Sequence, residues 1–175
     1  MRVVAAIATI PSRRAWLRCA VAYGIFLVVA SPIGLATGLL HPGLAPITPA
    51  AFIGTALLVL AHPAFVEEFV FRVVLLPRDP ASMPKGRVIA IAAAALALYV
   101  VSHPLNAILF RPALVAVFER PAYLVIVTLL GLACTAAYWM SKSIWPSVVM
   151  HWLTVMLWLS LLGGQALLSG TIPRT

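Results

Sequence analysis

The chain has 175 residues, of which 63% are hydrophobic and 9% are charged. So few charges cannot cover a soluble domain of this size, and the mean hydropathy of +1.09 places the chain among polytopic membrane proteins. The net charge of +8 sits between continuous apolar runs, which reads as membrane orientation and contact with anionic lipid headgroups and not as nucleic-acid binding.

Residues 1–15 form a basic N-terminus carrying Arg2, Arg13 and Arg14. The apolar run 16–40 is too long for the core of a cleaved signal sequence and reads as a retained span, kinked at Pro32 and Gly34. A proline-rich loop without formal charge covers 41–49. The second run, 48–77, would be about 45 Å long as one straight helix. That exceeds a hydrocarbon core of about 30 Å, so a tilt, a kink at Pro63 or an extension beyond the bilayer is expected. The loop 78–87 holds Arg78, Lys85 and Arg87, and the third span is 88–107.

The stretch 108–121 is apolar but broken by Arg111-Pro112 and by Glu119-Arg120-Pro121. The sequence leaves it open as an interfacial helix, a re-entrant piece or a short crossing. The fourth span is 122–140, and the fifth is 144–162 after a turn at 141–143. A tail over 165–175 closes with Arg174. Cys19 and Cys134 lie in apolar runs without metal-ligand spacing and read as small buried hydrophobes. The apolar runs are continuous and not alternating, which argues against a β-barrel.

The expected fold is therefore all-α, a polytopic membrane bundle of five spans, or six if 108–121 crosses. One integral-membrane domain occupies 16–164. The positive-inside rule puts the N-terminus and the loops 78–87 and 141–143 in the cytoplasm, in what reads as a bacterial inner membrane.

The chain has four acidic residues, and two of them, Glu67 and Glu68, are adjacent within the second run, with Arg72 one helical turn on. Ionisable groups in a membrane-length apolar run are costly and by default mark a functional site. In the third span Tyr99 and His103 share a helix face, with Asn106 close to it. In the fifth, His151 shares a face with Ser147, Thr154 and Val155. One intramembrane histidine alone is more often interhelical glue. Two of them with the acidic pair, on three spans, point to a shared site. A depth count conflicts with this for one member. Glu67 and His151 lie about 15 Å and about 14 Å from the basic side, but His103 lies about 24 Å from it.

Glu67 to Arg72 matches EExxxR, Tyr99 to His103 is close to FxxxH, and 143–152 looks like the segment of a third motif, HxxxN or HxxxD. In this order and on separate spans, these motifs resemble the CAAX-protease and bacteriocin-processing (CPBP, Abi) intramembrane endopeptidases, over about 48–164. Tyr99 replaces the usual Phe, and Val155 replaces the usual Asn or Asp.

The resemblance implies hydrolysis of a peptide bond, in a membrane-associated peptide or protein near the cytoplasmic face, by glutamate-activated water. It assigns Glu67 as general base, His103 to hold the water and His151 to face the developing oxyanion. Glu68 and Arg72 pair as support, and Asn106, Tyr99 and Thr154 are supporting residues, with Asn106, Thr154 or Ser147 able to replace the donor missing at Val155. No cofactor is expected. A zinc ion held by Glu67, His103 and His151 is the metal alternative. A catalytically inactive scaffold or transport component with the same fold is the non-enzymatic one.

Overall fold

The computed structural model of the chain describes residues 2–171; the tail's Arg174 lies outside the described residues. Seven helices account for most of it. They are α1 (Arg2–Ala8), α2 (Arg13–Ala36), α3 (Pro49–Val74), α4 (Lys85–Phe110), α5 (Pro121–Ser141), α6 (Trp145–Leu161) and α7 (Gly164–Ser169). Helices α2 to α5 are long and apolar enough to cross a membrane. Helix α6 is apolar but shorter, with 17 residues and a length of about 26 Å against a hydrocarbon core of about 30 Å. The chain is thus an all-α membrane bundle of four long apolar helices with this shorter one packed among them.

Local sequence sets the helix ends. Ser12 caps α2, its hydroxyl accepting from the Ala15 amide, and Thr48 caps α3 in the same way through Ala51, with Pro49 in the first turn, where its missing N–H is not needed. Pro112 stops α4: Arg111, before it, leaves the helical region. One 3₁₀ turn (Pro112–Leu114) and one α turn (Val115–Phe118) come next. Seven residues cannot cross a bilayer, so 108–121 is the end of α4 joined to a short folded connection and not a sixth span.

The kink expected in the second run is present. His62, forced from the helical region by Pro63, has φ −146° and ψ 123°. The helix is broken at this point, and beyond Glu68 one turn widens to π-helix at Phe69–Val74. The break and the widened turn bracket Glu67 and Glu68, and π-bulges frequently accompany functional sites.

Helix α2 packs along α5, and α5 along α6. Their shared core contains Cys19, Phe26, Ala30, Leu130, Cys134 and Met150. A second core closes the basic end, joining Ala6 of α1 to Val73, Leu76, Tyr138 and Ile144. The N-terminal segment is a packed part of this end: the Ile144 amide donates to Ala6 O at 3.1 Å, and Arg78 donates to the Thr9 hydroxyl at 2.8 Å. Lys142 hydrogen-bonds Asp79 at 2.9 Å and thereby holds its carboxyl below the usual carboxylate range.

Four tryptophans fasten separate segments by donating their indole N–H to backbone carbonyls. Trp139 reaches Pro77, Trp145 reaches Ile7, Trp152 reaches Ala56 and Trp158 reaches Leu39. Each carbonyl lies where a helix ends or an interhelical contact leaves it a free lone pair, so the indole combines apolar bulk with a polar tie.

Gly131 sets the spacing of α4 and α5. A Cβ there would lie 2.6 Å from Leu96 Cδ1 and 3.0 Å from Tyr99 Cδ1. Gly54, on α3, has nothing within 4 Å of such a Cβ. Gly131→Val is therefore expected to destabilise the fold by about 1–3 kcal/mol through overpacking. Gly54→Ala is expected to leave it unchanged or raise it slightly. Thermal unfolding of the detergent-solubilised proteins checks both.

Candidate active site

The acidic turn of α3 meets α6 and α4 inside the bundle. Glu68 is fully buried, and its Oε2 lies 3.1 Å from Arg72 Nε. That contact is close but not aligned as a hydrogen bond, since neither atom gains a hydrogen-bond partner from it. Its character is ionic. The guanidinium is fixed twice more: its Nη2 donates to Gly131 O at 3.3 Å, and its carbon sits 4.9 Å from the centre of the Tyr99 ring, a cation–π contact in a dry site. The other Glu68 oxygen, Oε1, lies 3.0 Å from His151 Nδ1. Arg72, Glu68 and His151 thus form one buried chain across α3 and α6.

Glu67 does not join that chain. Its Oε2 is buried without a hydrogen-bond partner among the described residues. It faces His103 Nε2 at 3.8 Å and His151 Nε2 at 4.0 Å. The third span resolves the depth conflict by its length: α4 has 26 residues, about 39 Å, so its basic start lies beyond a hydrocarbon core of about 30 Å.

The hydrogen-bond network assigns the ring tautomers. His103 Nδ1 lies 2.9 Å from Tyr99 O, and a carbonyl only accepts, so Nδ1 carries the hydrogen. His151 Nδ1 faces a carboxylate that also faces a guanidinium, and it likewise donates. In the neutral rings, both Nε2 atoms are then acceptors. Three acceptors converge: Glu67 Oε2 and the two Nε2 atoms.

Tyr99 is the floor under them. Its ring meets His103 edge-on at 4.9 Å, His151 at 6.2 Å and Phe71 at 5.2 Å. Its hydroxyl is buried with no hydrogen-bond partner among the described residues, so the ring is what this position uses. The other aromatic wall has no counterpart in the sequence motifs. Phe118 and Tyr123 stack at 4.7 Å, and His103 lies 6.3 Å from Phe118 and 5.9 Å from Tyr123. Nothing in the local pattern of the broken 108–121 stretch marks that contact.

The supporting residues separate by what their protons already do. Ser147 donates to Ile144 O at 2.8 Å. Thr154 donates to Met150 O at 2.8 Å, and its oxygen also lies 3.2 Å from the hydroxyl of Tyr23 on α2, a partner that the sequence does not single out. Asn106 lines the cavity above His103 and makes no side-chain hydrogen bond among the described residues. Val155 lines the same cavity as an apolar side chain.

The cavity is about 530 Å³. It is lined by Ala30 of α2, Val59 of α3, Tyr123 of α5 and Trp158 of α6 among others, with Glu67, Tyr99 and His151 as the members nearest the basic end. Apart from Glu67 and His151, the lining residues of α2 to α6 lie in the middle of their helices or toward the ends away from it. The site therefore lies at the bottom of a recess extending toward the loops 37–48 and 111–120. At the basic end the cores around Leu76, Tyr138 and Ile144 fill the space. Exposed Leu58, His62 and Arg111 mark where the recess meets its surroundings.

Among the described residues no group of three His, Cys, Asp or Glu side chains has the arrangement of a metal centre. Tyr99→Phe is expected to keep the packing and remove the orphan hydroxyl, so the melting temperature holds or rises. Arg72→Leu leaves Glu68 buried and unpaired, and a loss of about 3–5 kcal/mol is expected in the same unfolding measurement.

The family model described as type II CAAX prenyl endopeptidase, Rce1-like, matches residues 48–157. The match takes in Glu67, His103, Asn106 and His151 and leaves α1, α2 and α7 outside. Searches of the curated proteins and of the solved structures return no match.

Proposed function

This chain belongs to the Rce1-like family of type II CAAX prenyl endopeptidases, and from that premise we propose that it cleaves peptide bonds within the membrane with a water activated by Glu67. The observation that carries the reading is the convergence of three acceptors on one point, with Glu67 Oε2 at 3.8 Å and 4.0 Å from the two imidazole Nε2 atoms. Such distances are too long for direct hydrogen bonds, and a single water making bonds of about 2.8 Å spans them. A water has two hydrogens to give, and acceptors are what it needs around it.

In the proposed reaction, His103 Nε2 and Glu67 hold that water. Its oxygen attacks the scissile carbonyl, and Glu67 takes the released proton. The new C–O bond leaves a tetrahedral oxyanion. Collapse breaks the C–N bond, and the proton on Glu67 passes to the departing amine nitrogen, so the carboxylate is restored. His151 is held by Glu68, which is held by Arg72, so that its ring faces the developing oxyanion. The second donor is Asn106. Ser147 and Thr154 already give their protons to carbonyls of their own helix, whereas the Asn106 amide is uncommitted. This answers the replacement of the usual Asn or Asp by Val155.

The substrate is a membrane-associated peptide or protein. The basic residues Arg2, Arg13, Arg14, Arg78, Lys85, Arg87 and Lys142 cluster at the closed end of the bundle, and with that end in the cytoplasm of a bacterial inner membrane the recess faces the outer half of the bilayer. A topology reporter fused after α7 tests this orientation by giving an external signal.

Glu67→Gln is expected to abolish cleavage of membrane peptides by the purified protein while leaving its melting temperature unchanged. Asn106→Ala is expected to lower turnover by a factor of about 100 to 1,000, the usual cost of one oxyanion donor, and Thr154→Val to leave it within a few-fold. Wild-type behaviour of Glu67→Gln in every assay would instead support an inactive scaffold or transport component. Zinc bound by Glu67, His103 and His151 is the metal alternative, since two Nδ1-anchored imidazoles and a carboxylate are also a zinc donor set. The metal-free reading requires cleavage to survive a chelator and the purified protein to hold less than stoichiometric zinc.

A further inference from the structure

The groups that converge at the bottom of the recess are rich in acceptors and short of donors. Glu67 Oε2 accepts. Each imidazole is anchored through Nδ1, so in the neutral rings both Nε2 atoms accept as well. An oxyanion needs the opposite, protons aimed at it from fixed positions. Most donors nearby are already spent. Ser147 and Thr154 give their protons to carbonyls of their own turn or helix. Ser102 gives its own to Tyr99 O, and the indole of Trp158 reaches Leu39 O.

Besides Asn106, the recess wall beside His103 keeps one uncommitted donor among the described residues, Tyr123. Its ring lies 5.9 Å from that of His103 and 6.2 Å from that of Trp158. It therefore stretches from the histidine that holds the water toward the mouth. Its hydroxyl makes no hydrogen bond among the described residues. The hydroxyls of Tyr99 and Tyr138 are unpartnered too, but those two are sealed. That of Tyr123 is not, and the residue lines the recess. Ser31 and Thr55 also line it, but further off. Thr55 precedes Glu67 by twelve residues, about 18 Å at the rise of a helix, and Ser31 follows Tyr23, the partner of Thr154, by eight, about 12 Å.

Two features hold the phenol in place. The ring stacks on Phe118 at 4.7 Å with an interplanar angle of 7°. Arg120, just before α5, donates to the carbonyls of Thr37 and Gly38, which ties the start of that helix to the end of α2. A donor fixed in this way meets a developing charge without reorganising, and a phenol is more acidic than an alcohol and so the stronger donor.

We propose that Tyr123 is a further catalytic residue, whose hydroxyl donates a hydrogen bond to the oxyanion from α5 while Asn106 does so from α4. The phenol keeps its proton throughout, so the proton path through Glu67 is unchanged. This rests on the hydrolytic reading, and its test measures binding apart from turnover. Fluorophore-labelled nonapeptides, randomised over Ala, Val, Leu and Phe, carry at one central bond either a phosphinate, tetrahedral and anionic like the oxyanion, or a ketomethylene, which keeps the planar carbonyl. Both pools are titrated in phosphatidylcholine nanodiscs, with a chelator present so that no metal holds the phosphinate. The protein is Glu67→Gln, whose neutral amide stands in for the protonated glutamate of the tetrahedral state. It is expected to bind the phosphinate pool about tenfold tighter or more. Tyr123→Phe in the same background keeps the ring and its stack. Its melting temperature and ketomethylene affinity are expected to hold, while the phosphinate advantage falls about tenfold.

Equal binding of the two pools, or an advantage that Tyr123→Phe leaves intact, overturns the assignment. So does an equal loss of affinity for both pools, which makes Tyr123 a general substrate contact. A wild-type chain that cleaves no peptide, while the Tyr123-dependent advantage persists, supports the donor and counts against hydrolysis alone. Where cleavage is observed, Tyr123→Phe is expected to lower kcat about 100-fold with KM unchanged, and a raised KM at constant kcat overturns the assignment.

Discussion

The structure depends on a buried charge that is never left alone. Arg72 and Glu68 are both essentially inaccessible to solvent and lie 3.1 Å apart. Neither could be held in an apolar bundle by itself, because desolvating one isolated ion costs several kcal/mol even after relaxation. The pair with its extra ties is a different matter. Gly131 supplies a carbonyl, Tyr99 supplies a ring face, and His151 supplies a donor to the second Glu68 oxygen. These partners come from α3, α4, α5 and α6, so satisfying one charge fixes four helices in a single register. A buried ion pair is weak evidence for added stability, and its effect here is better stated as specificity: a slip of any one helix leaves a charge or a polar atom stranded.

That register places the chemistry. His151 is held at Nδ1 by Glu68, which turns its Nε2 toward Glu67. His103 is held at Nδ1 by the carbonyl one turn before it, which turns its Nε2 toward the same oxygen. Adjacent glutamates on α3 therefore do opposite things. One is consumed by the ion pair. The other has an Oε2 with no hydrogen-bond partner among the described residues and is 17% exposed on its side chain, at the edge of a recess. The break at His62 before them and the widened turn after them let consecutive residues address different neighbours, which a regular 3.6-residue helix does less readily.

Much of this is legible in the sequence because charge is so rare in it. In an apolar run, each Glu, Arg and His stands out by cost alone, and their spacing on helices assigns them to shared faces. The kink before Pro63 follows from a rule about one dipeptide. What the sequence does not carry is whatever depends on packing between distant segments. Phe118 and Tyr123 around His103, Tyr23 beside Thr154, and the docking of α1 under Ile144 involve aromatic or small residues common to any membrane helix. A depth count for His103 that begins at Arg87 fails because it starts the membrane there, whereas α4 starts at Lys85 and extends beyond a core thickness. The direction of the recess is not readable either: helix faces are periodic in sequence, but which half of a helix lines a void depends on its neighbours.

Val155 shows how far the two kinds of knowledge combine. By its place in the motif it is a lost donor, and three residues stand as replacements. Their hydrogen bonds set the three apart. A hydroxyl has one proton, and a Ser or Thr inside a helix has a carbonyl three or four residues back within easy reach. In an apolar bundle no water competes for that proton, so Ser147 and Thr154 spend it locally. An Asn side chain has two amide hydrogens to give, and Asn106 gives neither among the described residues. Asn106 on α4, one turn beyond His103, is the one of the three that makes no side-chain hydrogen bond among the described residues, which is what supports it as the proposed replacement for the donor at Val155. Outside the buried ion pair, the polar lining at the bottom of the recess is thus divided between Glu67 on α3 and His103 and Asn106 on α4, with Thr154 on α6 turned to its own helix.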